Sequence, residues 1–345
     1  MVRLGALWRK AAALLEQAGV EDAAFDAREL CRLCCKADPR LAPDSPVPEA
    51  AQQRLAQLCA RRARHEPLQY LLGEWDFLDF TVEVGPGVLI PRADTECVAQ
   101  TAVAALKRAA ARPGREDEPA GLDLCAGTGV LAIALARGVP AARVTAVEKS
   151  GEAFSFLQRN CAALAPRGAA VQADVFGYEN TRAPHSVDVI VSNPPYVTAQ
   201  EYEALAPELR FEPREALVAP QQGLCFYRHI APAYFPALKS GGALVFEIGA
   251  GQAQQVAAFC RHFGAPGRRG PAALCVCRKT VMNAPKGRML VAFAHCFGYT
   301  NPWKGLPHGG RQVRFMGYDV RYDAHTKTDT TRGRAAHIAG GSHGR

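Results

Sequence analysis

The stretch VDVIVSNPPYVT, residues 187–198, constrains the fold of this 345-residue chain more than any other. It begins with a short β-branched apolar run, which is typical of a parallel strand covered on both faces. The run stops at Asn193, because Pro194 and Pro195 lack backbone N–H groups and cannot continue a central strand. The chain is therefore expected to leave the sheet in a rigid, extended path with its carbonyls free to accept hydrogen bonds.

The residues at this strand end are suited to binding a flat nitrogen group. The Asn193 side chain and the Pro194 carbonyl form a pair of acceptors, and the ring of Tyr196 follows them. Such a pair at the carboxyl end of a sheet suits a planar NH2 group, on which the ring can stack. The alternative is that Asn-Pro-Pro is only a turn that ends a strand.

The four residues Asn193, Pro194, Pro195 and Tyr196 resemble the Asn-Pro-Pro-Tyr motif of the S-adenosylmethionine-dependent amino-methyltransferases, which holds an exocyclic or amide nitrogen at the methyl donor. The resemblance implies that Asn193, Pro194 and Tyr196 are catalytic and that all four residues contact the substrate. It also implies S-adenosylmethionine as the cofactor and direct N-methylation without a metal.

A glycine-rich turn between a strand and a helix is predicted in GLDLCAGTGVLAIALA, residues 121–136. Gly127 and Gly129 let a ligand approach the backbone closely. The next strand ends at Glu148, 19 residues beyond Gly129, where an acidic side chain can accept hydrogen bonds from ribose hydroxyls. A nicotinamide-dependent dehydrogenase shows a similar pattern, and Cys125 stands where the methyltransferases usually have glycine.

The remaining strands separate these two classes of enzyme. AAVQADVF predicts a third strand ending at Asp174, the Asn-Pro-Pro-Tyr strand is the fourth, and a fifth spans residues 243–248, with Glu247 and Gly249 also matching the methyltransferases. This order predicts an α/β fold with a doubly wound, Rossmann-like methyltransferase sheet. The resemblance implies cofactor contacts from Asp123, Gly127, Thr128, Gly129, Glu148, Asp174 and Asn193.

Two smaller parts are predicted ahead of the sheet. Residues 1–72 are expected to form an all-helical bundle that contacts a partner or steadies the next domain, because three stretches place apolar residues at helical spacing. Alternation after Gly73 and a Gly-Pro-Gly turn predict a linking β-hairpin over 73–92. The methyltransferase domain is then predicted over 93–263.

The connector at residues 66–96 resembles that of the HemK family, the release factor glutamine methyltransferases. The family's Pro-Arg-Pro-Glu-Thr-Glu signature stands here as PRADTE at 91–96, which implies substrate-side roles for Arg92 and Thr95. In the alternative interpretation, Asp94 or Thr95 caps the following helix.

The segment FEPREAL, residues 211–217, resembles the substrate loop of the same family, although Pro220, Gln221 and Gln222 follow it where the family has Gly-Gly. The resemblance as a whole implies methylation of the side-chain amide nitrogen N5 of the glutamine in the Gly-Gly-Gln motif of class 1 peptide chain release factors. Two alternatives stay open: an adenine-N6 methyltransferase acting on DNA or RNA, and an inactive methyltransferase-like binding protein.

The net charge of +8 is concentrated at the carboxyl end of the chain. Residues 264–345 carry 14 Lys and Arg against three Asp, which leaves 27 basic and 30 acidic residues in 1–263. The part that carries the motifs is thus mildly acidic, so no stable nucleic-acid binding is expected. The expected partner is the release factor, with the enzyme acting as a monomer.

The resemblance ends near residue 263. Residues 264–345 are predicted to be a divergent basic tail, largely disordered, in which only RMLVAFA at 288–294 is able to pair as a strand. No long apolar run indicates a membrane span, and twelve scattered cysteines favour free thiols in a reducing compartment. A cytoplasmic location is expected, with the mitochondrial matrix as the alternative that a weakly basic N-terminal helix allows.

Overall fold

The computed structural model describes residues 2–263, 273–278, 312–315 and 318–321. Helices come first, a two-stranded hairpin follows, and a parallel sheet with helices on both faces makes up the largest part. The predicted fold class, a doubly wound α/β sheet preceded by a helical region and a hairpin, is confirmed. Within the described ranges, no helix combines the length and the apolar composition needed to cross a bilayer.

The amino-terminal region is helical because its apolar residues recur at helical spacing and face one another. Its helices are α1 (Leu4–Gln17), α2 (Ala23–Cys35), α3 (Glu49–Arg62) and α4 (Leu68–Leu72). Leu4, Leu15, Leu30 and Leu55 meet in the centre, and none of them is more than 2 % exposed. Gly73 ends α4 with a φ of +83°, a conformation that glycine adopts without strain.

The cysteines of this region serve packing. Cys31 is fully buried in α2, and burial, followed by the neighbouring thiols, raises the pKa of its thiol to about 12. A thiol with such a pKa stays protonated at neutral pH, whereas a metal ligand must be a thiolate. The nine cysteines from Cys31 to Cys260 are free thiols, and the described part of the chain has no cluster of His, Cys, Asp or Glu suited to a metal ion.

The hairpin consists of β1 (Glu74–Phe77) and β2 (Phe80–Glu83), paired antiparallel. It turns through Leu78, at a φ of +54°, and Asp79, so the Gly-Pro-Gly sequence forms a separate turn after β2. Phe77 and Phe80 are buried with their ring centroids 5.7 Å apart, in the same apolar core as one face of the main sheet. The hairpin is therefore packed against that sheet.

The main sheet has six parallel strands in the order β5-β4-β3-β6-β7-β8. They are β3 (Ala120–Leu124), β4 (Arg143–Glu148), β5 (Ala169–Gln172), β6 (Val187–Ser192), β7 (Leu238–Ile248) and β8 (Ala273–Arg278). The chain proceeds outward from β3 to β5, then crosses to the other side of β3 and continues from β6 to β8. This reversal places a crevice at the carboxyl ends of β3 and β6, where doubly wound sheets bind ligands.

Helices and turns connect these strands. The helices are α5 (Ala93–Ala110), α6 (Val130–Gly138), α7 (Gly151–Leu164), α8 (Val175–Tyr178), α9 (Ala199–Glu203), α10 (Arg214–Leu217), α11 (Pro220–Gly223), α12 (Cys225–Tyr234) and α13 (Ala253–Phe263), and 3-10 turns span Glu179–Thr181, Pro207–Phe211 and Phe235–Ala237. Val189 and Val191 pack with α5, α6 and α7 on one face, while Ile190 packs with α8, α12 and α13 on the other. The strand β6 is buried throughout, as its β-branched sequence predicts.

The strand β8 was not predicted from the sequence. It pairs with β7 from Ala243 opposite Ala273 to Ile248 opposite Arg278, so partner pairing outweighs its glycine- and proline-rich surroundings. A separate antiparallel hairpin comprises β9 (Gln312–Phe315) and β10 (Tyr318–Arg321). The predicted strand at 288–294, and most of the predicted disorder over 264–345, lie outside the described residues.

Candidate active site

A cleft of about 430 Å³, including its space open to solvent, lies at the carboxyl edge of the sheet. Asn193 and Pro194 from the end of β6 and Glu247 from the end of β7 form its polar lining, together with Arg92. The other lining residues include Leu89, Leu205, Leu209 and Leu217. Mostly apolar walls with a few placed polar groups are typical of a site that orients a small polar group and excludes water.

Glu247 is a buried carboxylate, 1 % exposed. Its Oε2 accepts a 2.6 Å hydrogen bond from the Thr95 hydroxyl, and its Oε1 accepts one of 3.2 Å from the Tyr196 hydroxyl. The Tyr227 hydroxyl donates to its main-chain oxygen at 2.8 Å. Burial, and then the negative charge of Glu247, raise the pKa of Tyr196, so the phenol stays protonated at neutral pH and acts as a donor.

Asn193 contacts the same group through Thr95. Asn193 Nδ2 lies 3.4 Å from Thr95 Oγ1, a long hydrogen bond, and the Thr95 side chain is buried. Two predicted site residues are thus brought together at the ends of β6 and α5. The helix α5 starts after Arg92 without a side-chain cap, and the Thr95 hydroxyl is directed at Glu247, so Thr95 does not cap it.

Hydrogen bonds from two sides hold the backbone at Tyr196 and Val197. The N–H groups of Tyr196 and Val197 donate to the Leu217 carbonyl at 3.2 and 2.9 Å. Gln252 Nε2 donates to the Tyr196 carbonyl at 3.0 Å, while its Oε1 accepts from the Gly249 N–H at 2.9 Å. The extended path that the two prolines predict is therefore fixed against both the substrate-loop segment and the end of β7.

A strained turn lies beside this backbone. Gln221, Gln222 and Gly223 have φ values of +55°, +58° and +78°. A Cβ on Gly223 would lie 2.1 Å from the Tyr196 carbonyl oxygen, so only glycine fits there. Side chains rarely adopt positive φ, so the two glutamines carry strain. The backbone here keeps a conformation that favours glycine, although the HemK-type Gly-Gly is missing.

Glu212 anchors the segment 211–217 to the connector. It is 4 % exposed, its Oε2 accepts a 3.0 Å hydrogen bond from the Ile90 N–H, and its Oε1 accepts from the Arg92 guanidinium. Arg92, predicted on the substrate side, lines the cleft with 24 % of its side chain exposed. Its position depends on Glu212, because charge-assisted hydrogen bonds of this kind are the strong ones.

The helical region contacts the same wall of the cleft. Arg62 donates from Nε to Asp26 at 2.6 Å inside the bundle and lies 3.3 Å from Glu208 through Nη2. His65 Nδ1 also lies 3.1 Å from Glu208, in the 3-10 turn that leads to Glu212. These contacts connect the helices to the segment that covers the site.

The glycine turn after β3 forms as the sequence predicts. Cys125, Gly127 and Gly129 have φ values of +59°, +54° and +87°. A Cβ on Gly129 would lie 2.6 Å from Leu157 Cδ1, whereas one on Gly127 would meet only Val88, at 4.0 Å. Gly129 is needed for close packing against α7, and the space beside Gly127 lets a ligand approach the backbone closely.

Glu148 closes the other side of this turn. Its Oε2 accepts a hydrogen bond from the Gly127 N–H and its Oε1 one from the Ser150 N–H, each at 2.8 Å. Every carboxylate oxygen has a second lone pair, so both remain able to accept from a pair of ribose hydroxyls. Glu148 thus keeps acceptor capacity at this strand end, and its contact with a ribose stays a prediction.

Asp174 follows β5 at the same edge. Its Oδ1 accepts from the Phe176 N–H at 3.0 Å, and its Oδ2 pairs with Lys149 at 2.8 Å. Burial by itself raises the pKa of Asp174, but the bonds from Lys149 and Phe176 outweigh it and leave the pKa below its ordinary value. An ionised acceptor at Asp174 fits the adenine amino group of S-adenosylmethionine, and Glu148 beside the open glycine turn fits its ribose.

Two predicted cofactor residues lie beneath the turn. Asp123 is fully buried, and its Oδ2 accepts a 3.0 Å hydrogen bond from the Ala132 N–H of α6. Thr128 is 3 % exposed, and its carbonyl accepts from Asn160 Nδ2 at 3.0 Å. Both hold the shape of the turn, and direct contact of either with a cofactor stays a prediction.

Glu212 and Glu247 were not predicted as site residues. A signal for Glu247 was present, because a carboxylate inside the apolar run ALVFEIG must find partners when it is buried. Nothing in the sequence indicates that Glu212 meets Ile90 and Arg92, which are 122 and 120 residues away.

The fold and the site define a class of protein. An open glycine turn, acidic side chains after the next two strands, and an Asn-Pro-Pro-Tyr segment at the switch point are the features of an S-adenosylmethionine-dependent amino-methyltransferase. Residues 6–73 match the family model of the PrmC N-terminal domain, and residues 108–219 match that of the methyltransferase small domain.

Three relatives have the same name, release factor glutamine methyltransferase. The protein of Vibrio cholerae is 35 % identical over 269 residues, which cover 76 % of this chain and 90 % of that protein. That of Cereibacter sphaeroides is 38 % identical over 263 residues, which cover 74 % of this chain and 89 % of that protein. That of Geobacter sulfurreducens is 42 % identical over 200 residues, which cover 58 % of this chain and 66 % of that protein. The chain belongs to the family of release factor glutamine methyltransferases.

Proposed function

We propose that this protein transfers a methyl group from S-adenosylmethionine to the side-chain amide nitrogen N5 of the glutamine in the Gly-Gly-Gln motif of class 1 peptide chain release factors. The observation that carries the proposal is the acceptor pair of Asn193 and Pro194, placed at the switch point in an apolar cleft beside Tyr196. Membership of the family supplies the substrate class.

The acceptor pair orients the substrate nitrogen. A carboxamide nitrogen is a poor nucleophile because its lone pair is delocalised into the carbonyl. Asn193 Oδ1 and the Pro194 carbonyl each accept one N–H of the amide, and Tyr196 covers the amide plane. The nitrogen held in this way directs its out-of-plane electron density at the methyl carbon, which is the contribution of positioning to the rate.

The cofactor site is formed by the neighbouring strand ends. Gly127 and Gly129 receive the methionine end, Glu148 accepts from the ribose hydroxyls, and Asp174 accepts from the adenine amino group. S-adenosylmethionine supplies an activated sulfonium methyl group, so the protein needs no covalent nucleophile.

Proton removal can follow methyl transfer. The methylated nitrogen is strongly acidic until it loses a proton, so a dedicated base in contact with the substrate is not required. Tyr196 is unsuited to that role, because its raised pKa keeps it protonated. The apolar walls of the cleft keep water from the reacting atoms.

The remaining expectations are part of the same proposal. The enzyme acts as a monomer, without a membrane partner or stable nucleic-acid binding, in the cytoplasm or, in the alternative, the mitochondrial matrix. The mild negative charge of residues 1–263 and the free cysteines of the described residues support this assignment.

The proposal is tested by transfer of a labelled methyl group. Intact release factor is expected to take up label, whereas a release factor whose motif glutamine is changed to alanine and an adenine-containing DNA are expected to take up none. Mass spectrometry of the peptide that contains this glutamine, after a reaction with unlabelled S-adenosylmethionine, should place about 14 Da on the glutamine side chain, the net gain when CH3 replaces H. Label on DNA indicates the adenine methyltransferase, and equal label on the glutamine-less factor excludes the proposed site.

A further inference from the structure

An asparagine that selects an amide substrate must present the correct end of its own amide. Its Oδ1 and Nδ2 have nearly the same shape, but only the oxygen can accept the substrate N–H groups. An inverted Asn193 would place NH2 against NH2, which removes an acceptor and leaves buried donors unpaired. Some feature of the site must therefore fix which end faces the cleft.

The hydrogen bonds that join Glu247, Thr95 and Asn193 fix this orientation, because Thr95 has only one hydroxyl hydrogen to donate. The two Glu247 oxygens accept from Thr95 at 2.6 Å and from Tyr196 at 3.2 Å, and a carboxylate has no hydrogen to donate in return. Thr95 has one hydroxyl hydrogen, and it is directed at Glu247. Toward Asn193, 3.4 Å away, Thr95 Oγ1 can therefore only accept, so Asn193 must turn Nδ2 to it.

We infer that Glu247 is a positioning residue that acts through Thr95 to hold Asn193 with Oδ1 toward the cleft. This inference rests on the proposed function and adds the source of its selectivity for an NH2 group. Thr95 transmits the orientation because Glu247 is a fixed acceptor: it is 1 % exposed, and its backbone lies within β7, paired opposite Cys277 of β8.

A purely structural role predicts different behaviour. A buried carboxylate is costly unless it is fully hydrogen-bonded, and a bond between α5 and β7 could serve stability alone. In that case, removing the charge lowers the melting temperature and changes turnover only as far as the protein unfolds. The positioning role predicts a fall in turnover that does not follow stability.

The first test compares Glu247→Gln, Thr95→Val and their combination. Glutamine can donate from Nε2 to Thr95, which releases the Thr95 hydrogen for Asn193 Oδ1 and permits the inverted amide. We expect the kcat for release factor methylation to fall at least tenfold in each single variant, with little change in KM and in the binding of S-adenosylhomocysteine. Both changes interrupt the same chain of hydrogen bonds from Glu247 through Thr95 to Asn193, called the relay below. The double variant should therefore have a kcat less than twofold below that of Thr95→Val alone.

The matched control is Tyr227→Phe, which removes a buried hydrogen bond to the backbone of Glu247 without altering the relay. It should lower the melting temperature, as Glu247→Gln does, and keep kcat within twofold. Thr95→Ser, which retains a hydroxyl, should keep at least five times the kcat of Thr95→Val. The inference is overturned if the fall in kcat of the double variant equals the product of the two single falls. It is also overturned if Tyr227→Phe lowers kcat as much as Glu247→Gln or Thr95→Val does.

A second readout does not require activity. The side-chain NH2 signals of Asn193 in a 15N spectrum, assigned by their loss in Asn193→Asp, should shift in Thr95→Val and broaden or double in Glu247→Gln. Unchanged signals in both variants contradict the relay. If the signals change in the two variants as expected but the wild-type protein does not methylate release factor, the proposed function fails and the orientation of Asn193 stands.

Discussion

Arg92 and Glu212, separated by 120 residues in sequence, form an ion pair in which the Glu212 side chain is 1 % exposed and that of Arg92 is 24 % exposed. The same carboxylate accepts from the Ile90 N–H at 3.0 Å. The Glu212 carboxylate therefore joins the substrate-loop segment to the connector by hydrogen bonds at the wall of the cleft. Its loss should affect the protein substrate more than the cofactor.

Replacing Glu212 by glutamine should weaken the contact between the substrate-loop segment and the connector. The Arg92 guanidinium then lacks its counter-ion, and we expect a loss of about 2 kcal/mol of stability, below the range for fully buried pairs because Arg92 is partly exposed. The KM for release factor should rise at least fivefold while S-adenosylhomocysteine binds unchanged. Glu215→Gln, an exposed carboxylate in the same segment, is the control, and an equal rise in its KM would contradict the role of Glu212.

Asn193→Ala should separate cofactor binding from turnover. Cofactor affinity should stay nearly intact, because the cofactor lies mainly on the first three strand ends. The kcat should fall by two to three powers of ten, roughly 3 to 4 kcal/mol, the scale for losing a positioning hydrogen bond in a dry site. Asn193→Asp retains one acceptor but places a charge beside the sulfonium, so it should bind cofactor at least as well and still methylate poorly. Wild-type turnover in either variant contradicts the mechanism.

Glu148→Ala should weaken cofactor binding. The loss of charge-assisted hydrogen bonds predicts about 1 to 3 kcal/mol of affinity for S-adenosylhomocysteine in a calorimetric titration. NADH should not bind to the wild-type protein. Glu116→Ala changes an exposed carboxylate remote from the glycine turn and should leave affinity as it is. Binding of NADH without S-adenosylhomocysteine would instead support the dehydrogenase interpretation of the glycine turn.

Gln222→Gly should stabilise the protein. Gln222 is exposed at a φ of +58°, and relief of that strain is worth roughly 1 to 2 kcal/mol, part of which the greater freedom of glycine in the unfolded chain offsets. We expect a net gain of about 0.5 to 1 kcal/mol in urea unfolding. Gln254→Gly makes the same substitution inside α13, where it should destabilise by about 1 kcal/mol. A loss in the first variant shows that Gln222 makes a stabilising contact there.

Asp188→Asn tests a buried carboxylate away from the cleft. Burial alone raises the pKa of Asp188, but hydrogen bonds from Arg115, the Ala120 N–H and Lys239 lower it below the ordinary 3.8. The variant should lose about 3 kcal/mol or more at pH 7. A lowered folded-state pKa means that the wild-type advantage exists above pH 3.8 and is lost as the pH falls through the folded value.

Urea unfolding at pH 7, 4 and 3 checks this dependence on pH. The stability difference between wild type and Asp188→Asn should be largest at pH 7 and smaller at pH 3. Asp79→Asn, which removes an exposed partner of Arg137, should show a much smaller difference throughout. A difference that is the same at pH 3 and pH 7 would show that Asp188 acts by shape and not by charge.

The class of fold was predictable because its signals are local. The β-branched run before Asn193, the two glycines after β3 and the apolar spacing of the first helices are each contained in a short window, in which backbone preference and burial agree. The same reasoning missed β8, a short strand in glycine- and proline-rich sequence. Pairing with β7 decides that strand, and a window of sequence carries no information on a partner.

The sequence by itself determined the doubly wound order, the acceptor pair of the Asn-Pro-Pro-Tyr segment and the acidic ends of the neighbouring strands. Only the tertiary structure decided how those groups are oriented. Thr95 meets Glu247 across 152 residues and Asn193 across 98, and in our inference its one hydroxyl hydrogen, given to Glu247, sets the direction of the Asn193 amide. Such a choice depends on which donors and acceptors packing brings within about 3 Å, and no local propensity specifies it.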